Sequence, residues 1–128
     1  VSYLVDTHAL LWHSREPERL GRHARAILGD ASIPVWFSIV SIWEIAIKSS
    51  LGKLRLDATV EEFARAQLRN AYQLLPLDIA HVAQVAKLPL HHRDPFDRML
   101  IAQAMSENFT LITADESFRK YRGLKRVW

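Results

Sequence analysis

Four of the 14 Asp and Glu residues stand where ordinary surface acids do not. Asp6 ends the short apolar run Tyr3-Leu-Val5, and Asp115 ends Leu111-Ile-Thr113. Asp97 precedes Leu100, Ile101 and Ala104 at helical spacing, so it lies in the first turn of an apolar helical face. Glu44 is set among Ile42, Trp43, Ile45 and Ile47. Carboxylates brought together cannot all stay ionised unless a cation joins them. With oxygen ligands alone the expected ion is Mg²⁺ or Mn²⁺. Such a centre activates water and neutralises charge on a phosphoryl group, so the chemistry in view is phosphodiester hydrolysis.

Each acid also has a plainer reading. An Asp at the end of a strand commonly caps the next helix. Asp97 at the third helical position, behind Asp94 as cap, would favour the helix dipole. Ser41-x-x-Glu44 has the form of a capping box, with Lys48 placed for an i,i+4 ion pair, and periodicity alone favours that reading of Glu44.

The elements that would carry these residues alternate. Strands are expected at Ser2–Val5, Pro34–Ser38, Tyr72–Leu75, Phe109–Thr113 and Leu124–Trp128. Leu20, Ala24, Ile27 and Leu28 mark a helical segment between Pro17 and Gly29, and a second helix runs from about Ser41 to Leu51 with Gly52 as its stop. Thr59 and Glu62 make a capping box for a helix with the stripe Val60, Phe63, Ala64 and Leu68. Asp78 caps a helix carrying Ile79, Val82, Ala83 and Ala86 on one face, and Pro95 opens another that ends near Glu107. This alternation predicts an α/β chain with a mainly parallel sheet covered on both faces. Ligands in such sheets meet the carboxyl ends of the strands, where Asp6 and Asp115 fall.

The chain has 128 residues without a linker or repeat, which predicts one domain over residues 1–128. No Cys is present, which excludes thiolate catalysis and Cys-ligated metal centres and suits a reducing cytoplasm. No apolar run reaches the roughly 18 residues of a membrane span, and Asp6 interrupts the first apolar stretch too early for a secretory leader. Seventeen basic residues face ten acids once the four are set aside, and Arg119, Lys120, Arg122, Lys125 and Arg126 crowd the last ten positions. A basic surface around an acidic pocket suits a nucleic-acid substrate. There is no Gly-x-Ser-x-Gly elbow, no phosphate-binding Gly-x4-Gly-Lys and no Gly-x-Gly-x-x-Gly. His91-His92 lacks a third nearby His for zinc, and His8 and His13 read as supporting or surface groups.

Four segments then fall into a known order. Val5-Asp-Thr-His-Ala-Leu-Leu-Trp12, Ser41-Ile-Trp-Glu-Ile-Ala-Ile-Lys48, His92-Arg-Asp-Pro-Phe-Asp-Arg-Met-Leu-Ile-Ala102 and Leu111-Ile-Thr-Ala-Asp115 together resemble the PIN-domain nucleases of the VapC toxin type. The resemblance implies a three-layer α/β/α fold and Mg²⁺- or Mn²⁺-dependent endoribonuclease activity. It implies Asp6, Glu44, Asp97 and Asp115 as the acidic metal ligands, against the cap reading of Glu44, and Thr113 as a hydroxyl that orients water. Asp94 would be an extra acid or only a cap. A cognate antitoxin and a homodimer are implied too, for which Trp12, Trp36 and Trp43 could serve as anchors or simply as core. Arg98, Lys48 and the C-terminal basic cluster are the cations expected to grip RNA. A PIN nuclease of RNA processing or DNA repair, and a silent binding module, stay open as alternatives.

Overall fold

A computed structural model describes residues 1–128. Five strands, β1 (Tyr3–Val5), β2 (Val35–Ser38), β3 (Gln73–Leu75), β4 (Thr110–Ile112) and β5 (Lys125–Val127), form one sheet in the order β3-β2-β1-β4-β5. Every pairing is parallel, with Val5 opposite Phe37 on one side and Ile112 on the other. The helices are α1 (Thr7–Arg15), α2 (Arg22–Leu28), α3 (Ile39–Ser50), α4 (Val60–Arg69), α5 (Ile79–Lys87) and α6 (Pro95–Glu107). Short 3₁₀ turns occupy Pro17–Arg19 and Glu116–Lys120.

Successive strand residues point to opposite faces, and the core divides accordingly. Val5, Phe37 and Ile112 pack with Leu10 of α1, Ala24 and Ile27 of α2, Ile45 of α3 and Phe63 of α4. Leu4 and Leu111 face the other way, onto Leu100, Ile101 and Ala104 of α6 and onto Phe118 and Tyr121. The sheet is thus a middle layer buried on both faces, as the alternation predicts. None of the helices is long and apolar enough to cross a membrane.

The capping boxes at Thr59–Glu62 and Asp78–His81 close, Pro95 opens α6, and Gly52 follows α3 with φ +71°. Four elements depart from the sequence reading; the helical segment expected between Pro17 and Gly29 breaks at the extended Leu20, leaving a 3₁₀ turn and α2. The first helix, α1, begins directly after Asp6 where the chain was read only as a strand running into an acid. Helix α3 begins at Ile39, two residues before the expected start, because the Ser38 hydroxyl accepts from Val40 N at 3.0 Å. Helix α5 turns its apolar stripe outwards: Ile79, Val82, Ala83 and Ala86 are exposed, and its buried side chain is His81.

Candidate active site

Parallel pairing of β1 with β4 delivers Asp6 and Asp115 to the same edge. Asp6 N donates to Ile112 O at 3.0 Å, continuing the ladder one residue beyond the strand. The Asp6 carboxylate also caps α1, accepting from Ala9 N at 2.8 Å. Cap and site are therefore the same residue, since a carboxylate can serve the helix with one oxygen and face the cleft with the rest of its lone pairs. Thr113 is fully buried; its hydroxyl accepts from Asp115 N at 3.1 Å and counters the rise in the Asp6 pKa. Asp115 is exposed and accepts from Ser117 N at 2.9 Å.

Glu44 does not make the capping box. With the cap at Ser38, Ser41 lies inside α3, where its hydroxyl accepts from the Thr7 hydroxyl at 2.9 Å. That buried bond ties the start of α1 to α3 one turn before Glu44. The expected Lys48 pair does form, at 2.6 Å, but around a carboxylate only 2% exposed. Glu44 Oε1 is buried with no hydrogen-bond partner. An unpartnered carboxylate oxygen in that position is costly unless a cation reaches it.

Asp97 comes from the opposite layer, in the first turn of α6. Asp94 caps this helix, accepting from Phe96 N at 2.8 Å and Asp97 N at 3.1 Å. Burial pushes the Asp97 carboxyl up to about 7, and the charges of Asp94, Glu44, Asp6 and Asp115 push it the same way. The other three singled-out acids, each from a different element, therefore all act on Asp97. Asp6 is raised as well, chiefly by burial, although Thr113 and Ala9 N pull it back. Lys48 is raised by its bond to Glu44 and by the fields of Asp94 and Asp97. One lysine cannot balance this density of negative charge. The donor set, all carboxylate oxygen with one orphaned atom, fits a small hard divalent cation.

Asp6 and Asp115 open into a cleft of about 240 Å³ whose other lining residues are His8, Trp12 and Ala114. From the sequence His8 reads only as a supporting or surface group and Trp12 as an anchor or core residue. The available signal was their place on α1, two and six residues after Asp6 and four apart, on one helical face. Arg98 is turned elsewhere: its guanidinium donates to Pro89 O at 2.9 Å and Val85 O at 3.3 Å, fastening the α5–α6 loop. In the C-terminal cluster Lys125 bonds Asn108 and Arg126 reaches Glu116, while Arg119, Lys120 and Arg122 are exposed.

The remaining histidines are engaged in structure. The His92 ring nitrogens lie 3.0 Å from the Tyr121 hydroxyl and 2.7 Å from Ser117 Oγ, and both His91 and His92 pack on Tyr121. His13 meets the Tyr72 hydroxyl at 2.8 Å, and burial lowers its pKa. A compact group of Asp78, His81 and Glu107 has ligand-type atoms within 4.8 Å of one another. Both nitrogens of that buried imidazole are already in use. Nδ1 accepts from Asp78 N at 3.1 Å and Nε2 lies 2.7 Å from Glu107, so the group ties α5 to the end of α6.

Comparison with known proteins agrees with this architecture. The PIN domain family matches residues 3–124. Ribonuclease VapC22 of Mycobacterium tuberculosis is 27% identical over 120 residues, which cover 93% of this chain and 91% of that relative. Among solved structures, VapBC2 from Rickettsia felis, bound to a DNA fragment from its promoter, superposes with a TM-score of 0.77 at 14% identity, over 100% of this chain and 99% of that one. DNA-bound VapBC from Salmonella typhimurium gives a TM-score of 0.69 at 13% identity, over 99% and 97%. Those structural likenesses speak for the fold. The family match spans β1 to the threshold of β5 and includes every acid of the site, and on that ground the chain belongs to the PIN-domain family.

Proposed function

We propose that residues 1–128 form one metal-dependent endoribonuclease unit, the toxin of a type II toxin–antitoxin pair. What supports this reading is that Glu44, Asp6 and Asp115, with Asp94, all bear on the Asp97 carboxyl, which burial raises to about 7. Its assignment to RNA and to a toxin is supported by the relative named Ribonuclease VapC22 and by the VapBC structures that share the fold. Asp6, Asp97 and Asp115 would hold the ion, Mg²⁺ or Mn²⁺, with Glu44 completing the set. When bound, the ion supplies a Lewis acid for the phosphoryl group and makes water a nucleophile near neutral pH.

The chain's own groups do the rest. Thr113, whose hydroxyl fixes the Asp115 backbone and lowers the Asp6 pKa, would orient water between the two strand-end acids. Lys48 pairs with Glu44 and would offer a positive charge to the scissile backbone, whereas Arg98 serves the α5–α6 loop. Water adds to phosphorus and the P–O3′ bond breaks, leaving a 5′-phosphate and a 3′-hydroxyl. A cognate antitoxin would block the acidic cleft and, with this chain, repress their shared operon. A homodimer would form through the outward stripe of α5.

The test is cleavage of a labelled RNA panel with Mg²⁺, Mn²⁺ or EDTA, comparing wild type with Asp97→Asn. Cutting that needs the metal and disappears in the variant is the expected result. Absence of cutting by folded, antitoxin-free protein on every RNA, tRNAs included, would overturn the reading in favour of a binding role.

A further inference from the structure

The acidic cleft continues beyond its carboxylates. His8 and Trp12, which line it with Asp6 and Asp115, also wall a second cleft of about 250 Å³ that runs past Arg15 and Arg19. His8, Trp12 and Arg15 follow one face of α1, about 10 Å from end to end at 1.5 Å per residue, which is the reach of one or two nucleotides. His8 is exposed, with its ring centroid 5.8 Å from that of Trp12. Trp12 is itself braced, by the Trp128 edge at 5.7 Å and by the Arg19 guanidinium 4.5 Å from its ring centre. Glu16 is the one acid lining the second cleft, and Arg19 pairs with it at 3.0 Å, so Arg15 leaves this wall net positive.

We propose that this stretch of α1 seats the nucleotide next to the scissile phosphate: an unpaired base lies on the His8 ring against Trp12, and its phosphate meets Arg15. The proposal rests on the ribonuclease reading above and names the residues that seat the strand beside the acids. A base in a duplex is already stacked on its neighbours and has no free face to offer, so the seat requires single-stranded RNA. Stacking accepts every base, since each has a π-face, and the seat therefore orients the strand without selecting a sequence. Charge favours RNA over an apolar protein segment, because the wall carries a guanidinium and opens directly onto the acids.

The experiment measures binding of fluorescein-labelled oligoadenylate and oligouridylate, a dozen nucleotides long, to Asp97→Asn protein, which binds without cutting. His8→Ala, His8→Phe and Arg15→Gln are added singly, with circular dichroism confirming the fold. His8→Ala is expected to weaken both oligomers about tenfold, while His8→Phe, which keeps a ring, stays within about twofold. Arg15→Gln weakens them too and lowers the slope of log affinity against log salt by about 0.7. A duplex of the same length does not compete. Unchanged affinity in His8→Ala and Arg15→Gln overturns the seat. Unchanged affinity together with lost binding of the cognate antitoxin assigns the groove to that protein instead, and overturns it equally. A parent that binds neither oligomer overturns the seat whether or not wild type cuts RNA, and the cleavage assay alone then decides the ribonuclease reading.

Discussion

Asp97 is the residue at which the site's electrostatics become measurable. Its carboxyl is raised to about 7, first by burial and then by the four acids that face it. The folded state thus keeps a proton that the unfolded chain, with an Asp near 3.9, has already released. Stability from this group is full below the unfolded value and is lost as pH rises through the folded one. Without divalent ions, the melting temperature of wild type relative to Asp97→Asn should therefore fall between about pH 4 and pH 7 and then level off. Above that window Mg²⁺ should raise the melting temperature of wild type, because an ion that binds only the folded form stabilises it, and should do far less for Asp97→Asn. A difference between the two proteins that stays flat across the window would show that Asp97 is not held in this field. The same substitution should lower metal-dependent cleavage by at least about a hundredfold, since even outer partners of metal ligands cost 10–100-fold when lost.

At the scale of elements, helix starts decide which acids reach the site. Asp94 caps α6 and also sets part of the charge on Asp97, and two substitutions separate these roles. Asp94→Ala should cost about 1 kcal/mol in urea unfolding through the lost cap, whereas Asp94→Asn should stay close to wild type because Asn caps as well. Asn should nevertheless relieve Asp97 of its largest repulsion and lower the pH at which the Asp97-linked stability is lost. Equal destabilisation by both would mean that the charge, not the cap, holds the start of α6. Much of this scale was legible in the residues: the five strands, the box at Thr59, the cap at Asp78, and the strand-end placing of Asp6 and Asp115. What misled was local chemistry with two solutions. Ser38 and Ser41 are both good caps, and periodicity cannot tell which one nucleates α3; packing chose Ser38, since Ser41 is needed by Thr7 across the layer. Glu44 then changed from a surface cap to a buried acid. No local rule could bring Glu44 and Asp97 together, because their meeting depends on how α3 and α6 cross the sheet; resemblance to a family supplied that link.

The whole molecule leaves one hydrophobic surface without a partner. Leu77, Ile79 and Val82 are exposed, with Ala83, along a groove of about 510 Å³, and the stripe has the helical spacing that ordinarily faces a core. The inner side of α5 is held by the His81 ties to Asp78 and Glu107, so the helix has no freedom to roll its apolar face inwards. β3, which precedes this helix, is an edge strand of the sheet, and its Leu74 is exposed as well. A contiguous apolar face of this kind on a folded chain marks an interaction site, and the homodimer proposed above would cover it. Ile79→Glu is the cleanest probe. Ile79 is the first helical residue and 88% exposed, and an acid in the first turn is favoured by the helix dipole, so the fold should tolerate the change. In light scattering coupled to gel filtration, wild type should elute as a dimer of this 14.7 kDa chain and Ile79→Glu as a monomer whose circular dichroism spectrum is unchanged. Two glutamates brought face to face across a two-fold contact, desolvated and unpaired, are enough to dissociate it. A wild type that is monomeric at high concentration, or a variant that remains dimeric, would move the copy-to-copy contact off α5 and leave this face to the antitoxin.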